Sequence, residues 1–310
     1  MDILSNPTVK TNQPAGQFLA SPVSSSGDGA FRSFSITNIP ALNSLLAVTP
    51  AGDDSVFIYD QSGTQNARAT INAIFSLALK GYKAGLAISW VSGTQVKVGV
   101  GVAHIESTDS LVQLTSEQTL TPSLSASSFH YIYLTSTGTV EVSTTAPAAP
   151  YYGFARSKTS DSSRRCIGFF LTDSSSSIQN FFYNVTSGEF KWLVNNTLSP
   201  YRVLTGGTAN GGTSTTLTDV DCSAVIPPIC NLVKMHVFSY NTPAGTNLFL
   251  GASGSTRGTN NVNTYATINP ATEPTHTIPV NSSRIFGYIF NLSPSPGAAY
   301  IDIEGGFAPL

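Results

Sequence analysis

Acidic residues one or two positions apart are the side chains best placed to do chemistry in this sequence. Glycoside cleavage needs two carboxyl groups in one cleft, about 5 to 9.5 Å apart. Three pairs have a suitable spacing: Asp53 with Asp54, Asp219 with Asp221, and Asp302 with Glu304. The two pairs spaced by two residues would face the same side of a strand. Such pairs are more often solvated strand residues or turn caps, so we expect no catalytic residues and no enzyme activity.

The histidines and cysteines do not have the spacing of metal sites or of nucleophilic sites. The four histidines are far apart, at His104, His130, His236 and His276. The three cysteines, at Cys166, Cys222 and Cys230, lack ligand spacing, and an odd count argues against a disulfide framework. We expect buried free thiols, although geometry alone decides whether Cys222 and Cys230 are bonded. Without a P-loop or a nucleophile elbow, we expect no cofactor and no metal.

A polar loop near the C-terminus is the best candidate for a binding site. Residues 254–265 carry four side chains able to form hydrogen bonds with a sugar or a host protein: Arg257, Asn260, Asn261 and Asn263. Loops on a rigid β-scaffold are where recognition usually occurs. An equally good interpretation is that the Asn and Gly residues only permit a positive φ in an exposed loop.

The middle of the chain has the pattern of short antiparallel strands. Valines at alternate positions from 96 to 102 predict a strand with one buried face. A second alternation at 129–133 resumes at 140–142 after a Gly-containing turn, which predicts a β-hairpin. Pro147 and Pro150 then favour an edge strand, because proline cannot donate to a central ladder. A further strand over 162–170 and a last one over 188–194 complete this central antiparallel β-module.

The C-terminal third predicts a β-sandwich of the jelly-roll kind. Strands are indicated over 215–220, 232–240, 246–250, 264–268, 276–280, 284–290 and 299–304, separated by Gly, Pro and Asn. Residues 232–240 have apolar side chains on both faces, which is typical of a strand between two layers or inside a multimer. The aromatic row Phe286, Tyr288 and Phe290 is most simply core.

The N-terminal region predicts an arm, a strand over 53–60, a turn and one short helix. Apolar residues at i, i+3, i+4 and i+7 carry this helix: Ile71, Ile74, Phe75 and Ala78. A helix of about a dozen residues is marginal alone in water, so it must pack on a partner surface. That surface is either two further copies around a threefold axis or the first strand of the same chain.

Composition excludes some functions. Of the 310 residues only 10% are charged, against about 25% in an average soluble domain, which suits hydroxyl-rich sheets that bury surface against copies of themselves. The net charge of -2 with scattered basic residues disfavours nucleic acid. No apolar run reaches the about 20 residues of a membrane helix, and the start lacks a signal-peptide pattern. We therefore expect neither membrane insertion nor secretion.

Three stretches of the central module resemble a β-module of virion proteins from tailed bacteriophages and prophages. They are LTPSLSAS at 120–127, EVSTTAP at 141–147 and SRRCIG at 163–168. The run from Asp54 through IYD at 58–60 to ATI at 69–71 is similar to an element of phage tail fibres that links an anchoring segment to distal modules. The resemblance implies a virion location, a homotrimer and structural residues without a catalytic role.

The sequence as a whole predicts a mainly β protein in three parts. Residues 1–85 form an N-terminal virion-anchoring arm with a short helix, 86–196 the central β-module, and 201–310 the C-terminal β-sandwich. The expected function is virion attachment: a trimeric tail-fibre or receptor-binding subunit, made in the host cytoplasm and assembled onto the particle. Its partners would be other virion proteins and a host surface glycan or protein. Two alternatives remain, a capsid decoration, head-fibre or baseplate adaptor protein, and a glycan-degrading enzyme.

Overall fold

The computed structural model describes eleven stretches of the chain, and two compact units divide it. The described residues are 17–20, 30–33, 55–60, 65–70, 79–193, 201–210, 216–240, 242–243, 246–256, 262–265 and 275–310. The first unit comprises Met1–Phe75 and the second Ser76–Leu310. Among the described residues, no helix is long and apolar enough to cross a membrane.

Two antiparallel strand pairs make up the described part of the first unit. β1 (Gln17–Ala20) pairs with β2 (Ala30–Ser33), and β3 (Ser55–Asp60) pairs with β4 (Gln65–Thr70). The strand predicted over 53–60 is confirmed as β3. Residues 68–70, predicted to lead into a helix, instead belong to β4, where Arg68 lies opposite Phe57. The predicted helix positions Ile71, Ile74, Phe75 and Ala78 lie outside the described residues.

The second unit contains the remaining strands. They are β5 (Lys83–Gly85), β6 (Ile88–Ser92), β7 (Gln95–Val98), β8 (Gly101–Ile105), β9 (Ser110–Leu114), β10 (Gln118–Leu120), β11 (Phe129–Thr135), β12 (Val140–Ser143), β13 (Pro147–Tyr152), β14 (Ala155–Lys158), β15 (Asp161–Leu171), β16 (Phe181–Tyr183), β17 (Glu189–Trp192), β18 (Arg202–Gly207), β19 (Thr218–Asp221), β20 (Leu232–Tyr240), β21 (Asn247–Ala252), β22 (Val262–Tyr265), β23 (Thr275–Pro279), β24 (Ile285–Phe290) and β25 (Ala298–Phe307). The predicted mainly β fold class is confirmed.

These strands form four sheets with antiparallel neighbours. A nine-stranded sheet has the order β10-β7-β6-β16-β17-β25-β20-β23, with β18 also paired to β25. The others are a five-stranded sheet β12-β11-β15-β14-β13, a four-stranded sheet β19-β24-β21-β22 and a three-stranded sheet β5-β8-β9. The predicted boundary between residues 196 and 201 stays a prediction, and the nine-stranded sheet takes strands from both sides of it.

Most of the central strands lie where the sequence places them. The β11–β12 hairpin is confirmed, and the proline-containing β13 is an edge strand. The single strand predicted over the alternating valines is wrong, because β7 and β8 belong to different sheets and Val100 between them is 55% exposed. β8 begins at Gly101, where a Cβ atom would lie 2.4 Å from the backbone nitrogen of Leu86, so no larger residue fits at this position.

Each of the seven predicted C-terminal strands overlaps an observed strand, while β18 was not predicted. One buried core joins the inner faces of the sheets. It includes Val233, Met235 and Val237 of β20 together with Phe286 and Phe290 of β24. The aromatic row of β24 is therefore core, as predicted.

Candidate recognition surface

The alternating side chains of β20 create a polar and aromatic surface on the outer side of the nine-stranded sheet. Val233, Met235 and Val237 point into the core and are at most 1% exposed. The residues of the other parity, Lys234, His236 and Phe238, are half-buried on the opposite side. Since side chains alternate across a strand, these three share one outer face.

The neighbouring strand β25 continues this face. A shift of register at Lys234/Met235 places His236 opposite Asp302 and Phe238 opposite Tyr300. A β-bulge of this kind re-aims side chains on one strand. We call this surface the β20–β25 face, and its residues are Glu189, Arg202, Lys234, His236, Phe238, Tyr300, Asp302, Glu304 and Phe307.

A bidentate ion pair fixes the centre of the β20–β25 face. Arg202 Nε donates to Asp302 Oδ1 at 2.8 Å, and Arg202 Nη2 donates to Asp302 Oδ2 at 3.0 Å. The two side chains are 22% and 13% exposed. β18 provides Arg202 because it pairs with β25 at this residue. Parallel N–H···O bonds of this kind fix geometry as well as adding energy.

Two aromatic rings lie beneath the same guanidinium. The Phe238 and Tyr300 rings are stacked, with centroids 5.3 Å apart and planes 8° apart. The Arg202 guanidinium carbon is 5.2 Å from the Phe238 centroid and 5.3 Å from the Tyr300 centroid. Both distances are within the range of cation–π attraction. The rings and the cation therefore form one rigid group.

Two more contacts between charged groups continue along the face. Lys234 Nζ donates to Glu189 Oε1 and lies 5.0 Å from the Phe307 ring centroid. His236 Nε2 lies 3.5 Å from Glu304 Oε1. Two cations and three carboxylates thus share the face with one histidine, so the face carries little net charge.

This arrangement is suited to binding. Tyr and Arg are among the residues that contribute most to protein interfaces, and aromatic rings offer large apolar area at low entropic cost. The predicted carboxylate pair Asp302 and Glu304 does lie here, as the i, i+2 spacing requires. Each of the two carboxylates contacts a basic side chain of the face.

The other predicted carboxylate pairs are elsewhere. Asp219 accepts a hydrogen bond from Ser253 Oγ at 2.7 Å. Asp221 accepts one from the backbone N–H of Ser223 at 2.7 Å, and bonds from Ser223 lower its pKa. Asp53 and Asp54 lie outside the described residues.

The predicted binding loop is described only in part. Arg257, Asn260 and Asn261 lie outside the described residues. Asn263 is in β22, where its backbone lies opposite Phe249. Sequence reasoning missed Arg202, Phe238 and Tyr300 as a group; the one available signal was the mixed composition of both faces of β20.

The cysteines and histidines have structural surroundings. All three cysteines are free and buried, and burial raises the pKa of each thiol to about 12. His130 stacks on Phe170 at 5.2 Å, and burial lowers its pKa. Within the described part of the chain, no three His, Cys, Asp or Glu side chains are grouped so as to hold a metal ion.

Comparison with known proteins gives similarity only to solved structures. No protein-family model matches the chain, and no curated protein matches it. The Major Tropism Determinant M1 variant aligns with a TM-score of 0.32 and 11% identity over 84% of this chain and 96% of its own. The Major Tropism Determinant I1 variant aligns with a TM-score of 0.28 and 16% identity over 43% of this chain, which spans 39% of the I1 variant. At low TM-score and low identity, this β-rich chain is thus similar to solved variants of a tropism determinant.

Proposed function

We propose that this chain is a virion attachment protein of a tailed bacteriophage, a tail-fibre or receptor-binding subunit that contacts the host surface through its C-terminal part. The phage-like stretches in the central module and the scarcity of charge support this proposal. The chain acts by binding and does not cleave its receptor. It assembles as a homotrimer and attaches to other virion proteins through its N-terminal region.

The observation that carries the proposal is the rigid group of Arg202, Phe238 and Tyr300 on the β20–β25 face. Binding costs entropy when flexible side chains become ordered. Here the bidentate bond to Asp302 and the stacked rings already hold the side chains in one geometry. These side chains therefore lose little conformational entropy when a partner binds. Less of the favourable free energy of the contacts is offset, and the affinity is higher.

The proposed receptor is a glycan or a protein of the host surface. Half-buried rings can cover the apolar face of a sugar or an aromatic side chain. The small net charge of the face favours a partner that is close to neutral there, because like charges across an interface are costly.

Binding of the labelled full chain to host cells tests the proposal. The Phe238→Ala variant removes one ring of the stacked pair, and we expect at least a tenfold loss of affinity. Phe182→Ala is the matched control, since Phe182 is 50% exposed on β16 of the same sheet and lies outside the β20–β25 face. Circular dichroism and an unfolding midpoint on each variant separate lost binding from lost folding.

Three results, one from this experiment and two from companion assays, contradict parts of the proposal. Equal binding by the two variants means that the β20–β25 face is not the contact surface. A chain that binds no cells but attaches to purified particles is instead a capsid decoration, head-fibre or baseplate adaptor protein. Release of new reducing ends from host envelope preparations contradicts binding without cleavage.

A further inference from the structure

Two cations, one on the three-stranded sheet and one on the five-stranded sheet, have buried donor atoms and form no ion pair among the described residues. Arg165 of β15 is 1% exposed, although arginine remains protonated in proteins. Within the described part of the chain, the buried ammonium of Lys83 of β5 has no hydrogen-bond partner, and neither has Arg165 Nε. A buried charge without a partner is among the most costly features of a fold.

The residues that lead into β5 pack against β14, the strand paired with the β15 strand of Arg165. A Cβ atom on Gly81 would lie 3.2 Å from the Cβ of Ala155. Two residues further along each segment are Lys83 and Ser157, and Ser157 lies opposite Arg165 in the β14–β15 pair. Burial, and after it the positive charge of Arg165, lower the pKa of Lys83 to about 8.

The surrounding groups do not neutralise the pair. Arg165 Nη1 donates to the carbonyl oxygens of Arg156 and Cys166 at 3.3 and 3.0 Å, which leaves its charge in place. Burial raises the pKa of the Cys166 thiol to about 12, so at neutral pH this group is not a thiolate. In the described parts of the chain, neither Lys83 nor Arg165 is within an ion-pair distance of a carboxylate.

Two carboxylates near Tyr151, whose ring faces Arg165, have other partners. Glu106 Oε2 accepts a hydrogen bond from Ser157 Oγ at 2.7 Å. Asp109 Oδ1 lies 3.0 Å from His104 Nε2. Both carboxylates are on the turn after β8, and their contacts are with Ser157 and His104. The chain thus places acceptors around the site without bonding them to Lys83 or Arg165.

We propose that Lys83 and Arg165 together hold a small inorganic anion of halide size, with Lys83 Nζ and Arg165 Nε as the donors. The site is enclosed: the Tyr151 ring centroid lies 5.9 Å from the Arg165 guanidinium carbon, and both donor atoms are buried. Enclosure favours a monatomic anion over a bulky one. The flexible four-carbon stem of Lys83 allows the ammonium to move and admit it. This inference is independent of the proposed attachment function.

Unfolding of the full chain at constant ionic strength tests this site, with chloride replacing gluconate. A ligand that binds only the folded state multiplies the folding equilibrium constant by one plus the ratio of its concentration to its Kd. At ten times the Kd we therefore expect a rise of about 11-fold, and Lys83→Met should abolish it. Lys97→Met is the matched control, because it removes an ammonium that pairs with Glu117 at the surface, 3.2 Å away.

Diffraction from crystals grown in bromide provides a second readout that needs no variant. We expect an anomalous peak within hydrogen-bond distance of Lys83 Nζ. The proposal is overturned if that peak is absent, or if chloride stabilises the wild type and Lys83→Met equally. It is also overturned if phosphate stabilises the wild type at saturation while chloride and bromide do not, because the site then takes a larger anion. This test measures anion binding and the earlier one measures binding to host cells. Either proposal can therefore fail while the other holds.

Discussion

The ion pair between Arg202 and Asp302 should contribute measurably to stability as well as to the β20–β25 face. Its two hydrogen bonds join charged groups that are only 22% and 13% exposed. Hydrogen bonds to charged groups contribute about 1.5–3 kcal/mol, and each cation–π contact adds about 0.5–1 kcal/mol at exposed sites. Arg202→Ala also leaves Asp302 half-buried without its main partner. We expect this substitution to lower the free energy of unfolding by about 2–4 kcal/mol.

A double-mutant cycle measures the interaction itself. The variants are Arg202→Ala, Asp302→Ala and the double variant, followed by urea unfolding with a check that the m-value is unchanged. We expect a coupling energy of about 1.5–3 kcal/mol, in the range of hydrogen bonds to charged groups. Arg202→Lys retains the charge but loses the planar bidentate contact, so it should recover less than half of the loss.

The surface pair Lys97–Glu117, with side chains 40% and 53% exposed, provides the control for this cycle. Exposed pairs of this kind typically contribute about 0.2–1 kcal/mol. If the Arg202–Asp302 coupling is no larger than that of the control, the rigid group is not held by this ion pair. The argument for a preorganised face then fails, whatever the variants do to binding.

Three further predictions concern the core. In chloride-free buffer the stability of the wild type relative to that of Lys83→Met should rise from about pH 8 towards pH 10, because a pKa lowered from 10.5 to about 8 means that Lys83 binds more protons in the unfolded state in this window. The comparison is a difference because the three buried thiols, with raised pKa values, act in the opposite direction in both proteins. At about 1.4 kcal/mol per pKa unit, the whole pKa shift corresponds to about 3 kcal/mol of stability. The prediction is contradicted if urea unfolding gives the wild type and Lys83→Met the same dependence of stability on pH. Gly305→Ala should lower the free energy of unfolding by more than about 2 kcal/mol, because the added Cβ would lie 2.0 Å from the carbonyl oxygen of Phe190. Gly99→Ala is the control: the nearest atom to its Cβ would be 3.6 Å away, so this change should be within about 1 kcal/mol of neutral. The three cysteines should resist a thiol reagent until the protein unfolds, since all are buried with raised pKa values; fast labelling of the native protein contradicts the buried placement.

The strands were predictable because their signals are local. Alternating β-branched and aromatic residues marked β11, β20 and β24, and the prolines marked β13 as an edge strand. β18 gave no such signal, since its sequence RVLTGG is short and ends in two glycines. The single strand predicted over the alternating valines was wrong because a two-residue period of apolar side chains does not show that the chain turns between β7 and β8.

The β20–β25 face could not be predicted for a different reason. Arg202 and Asp302 are 100 residues apart in sequence, and only the register of β18 on β25 brings them together. Phe238 meets Tyr300 through an irregular register between β20 and β25. The spacing of a few residues, which guided the prediction of the 254–265 loop and of the carboxylate pairs, contains no information about such contacts.

Competition for adsorption is the most direct test of the proposed attachment function. The purified full chain is added in increasing amounts to host cells before phage particles carrying the same protein, and free particles are counted. We predict that the wild-type chain slows adsorption in a saturable way and that Phe238→Ala does so only at much higher concentration. Unchanged adsorption in the presence of a saturating, correctly folded chain would contradict the account.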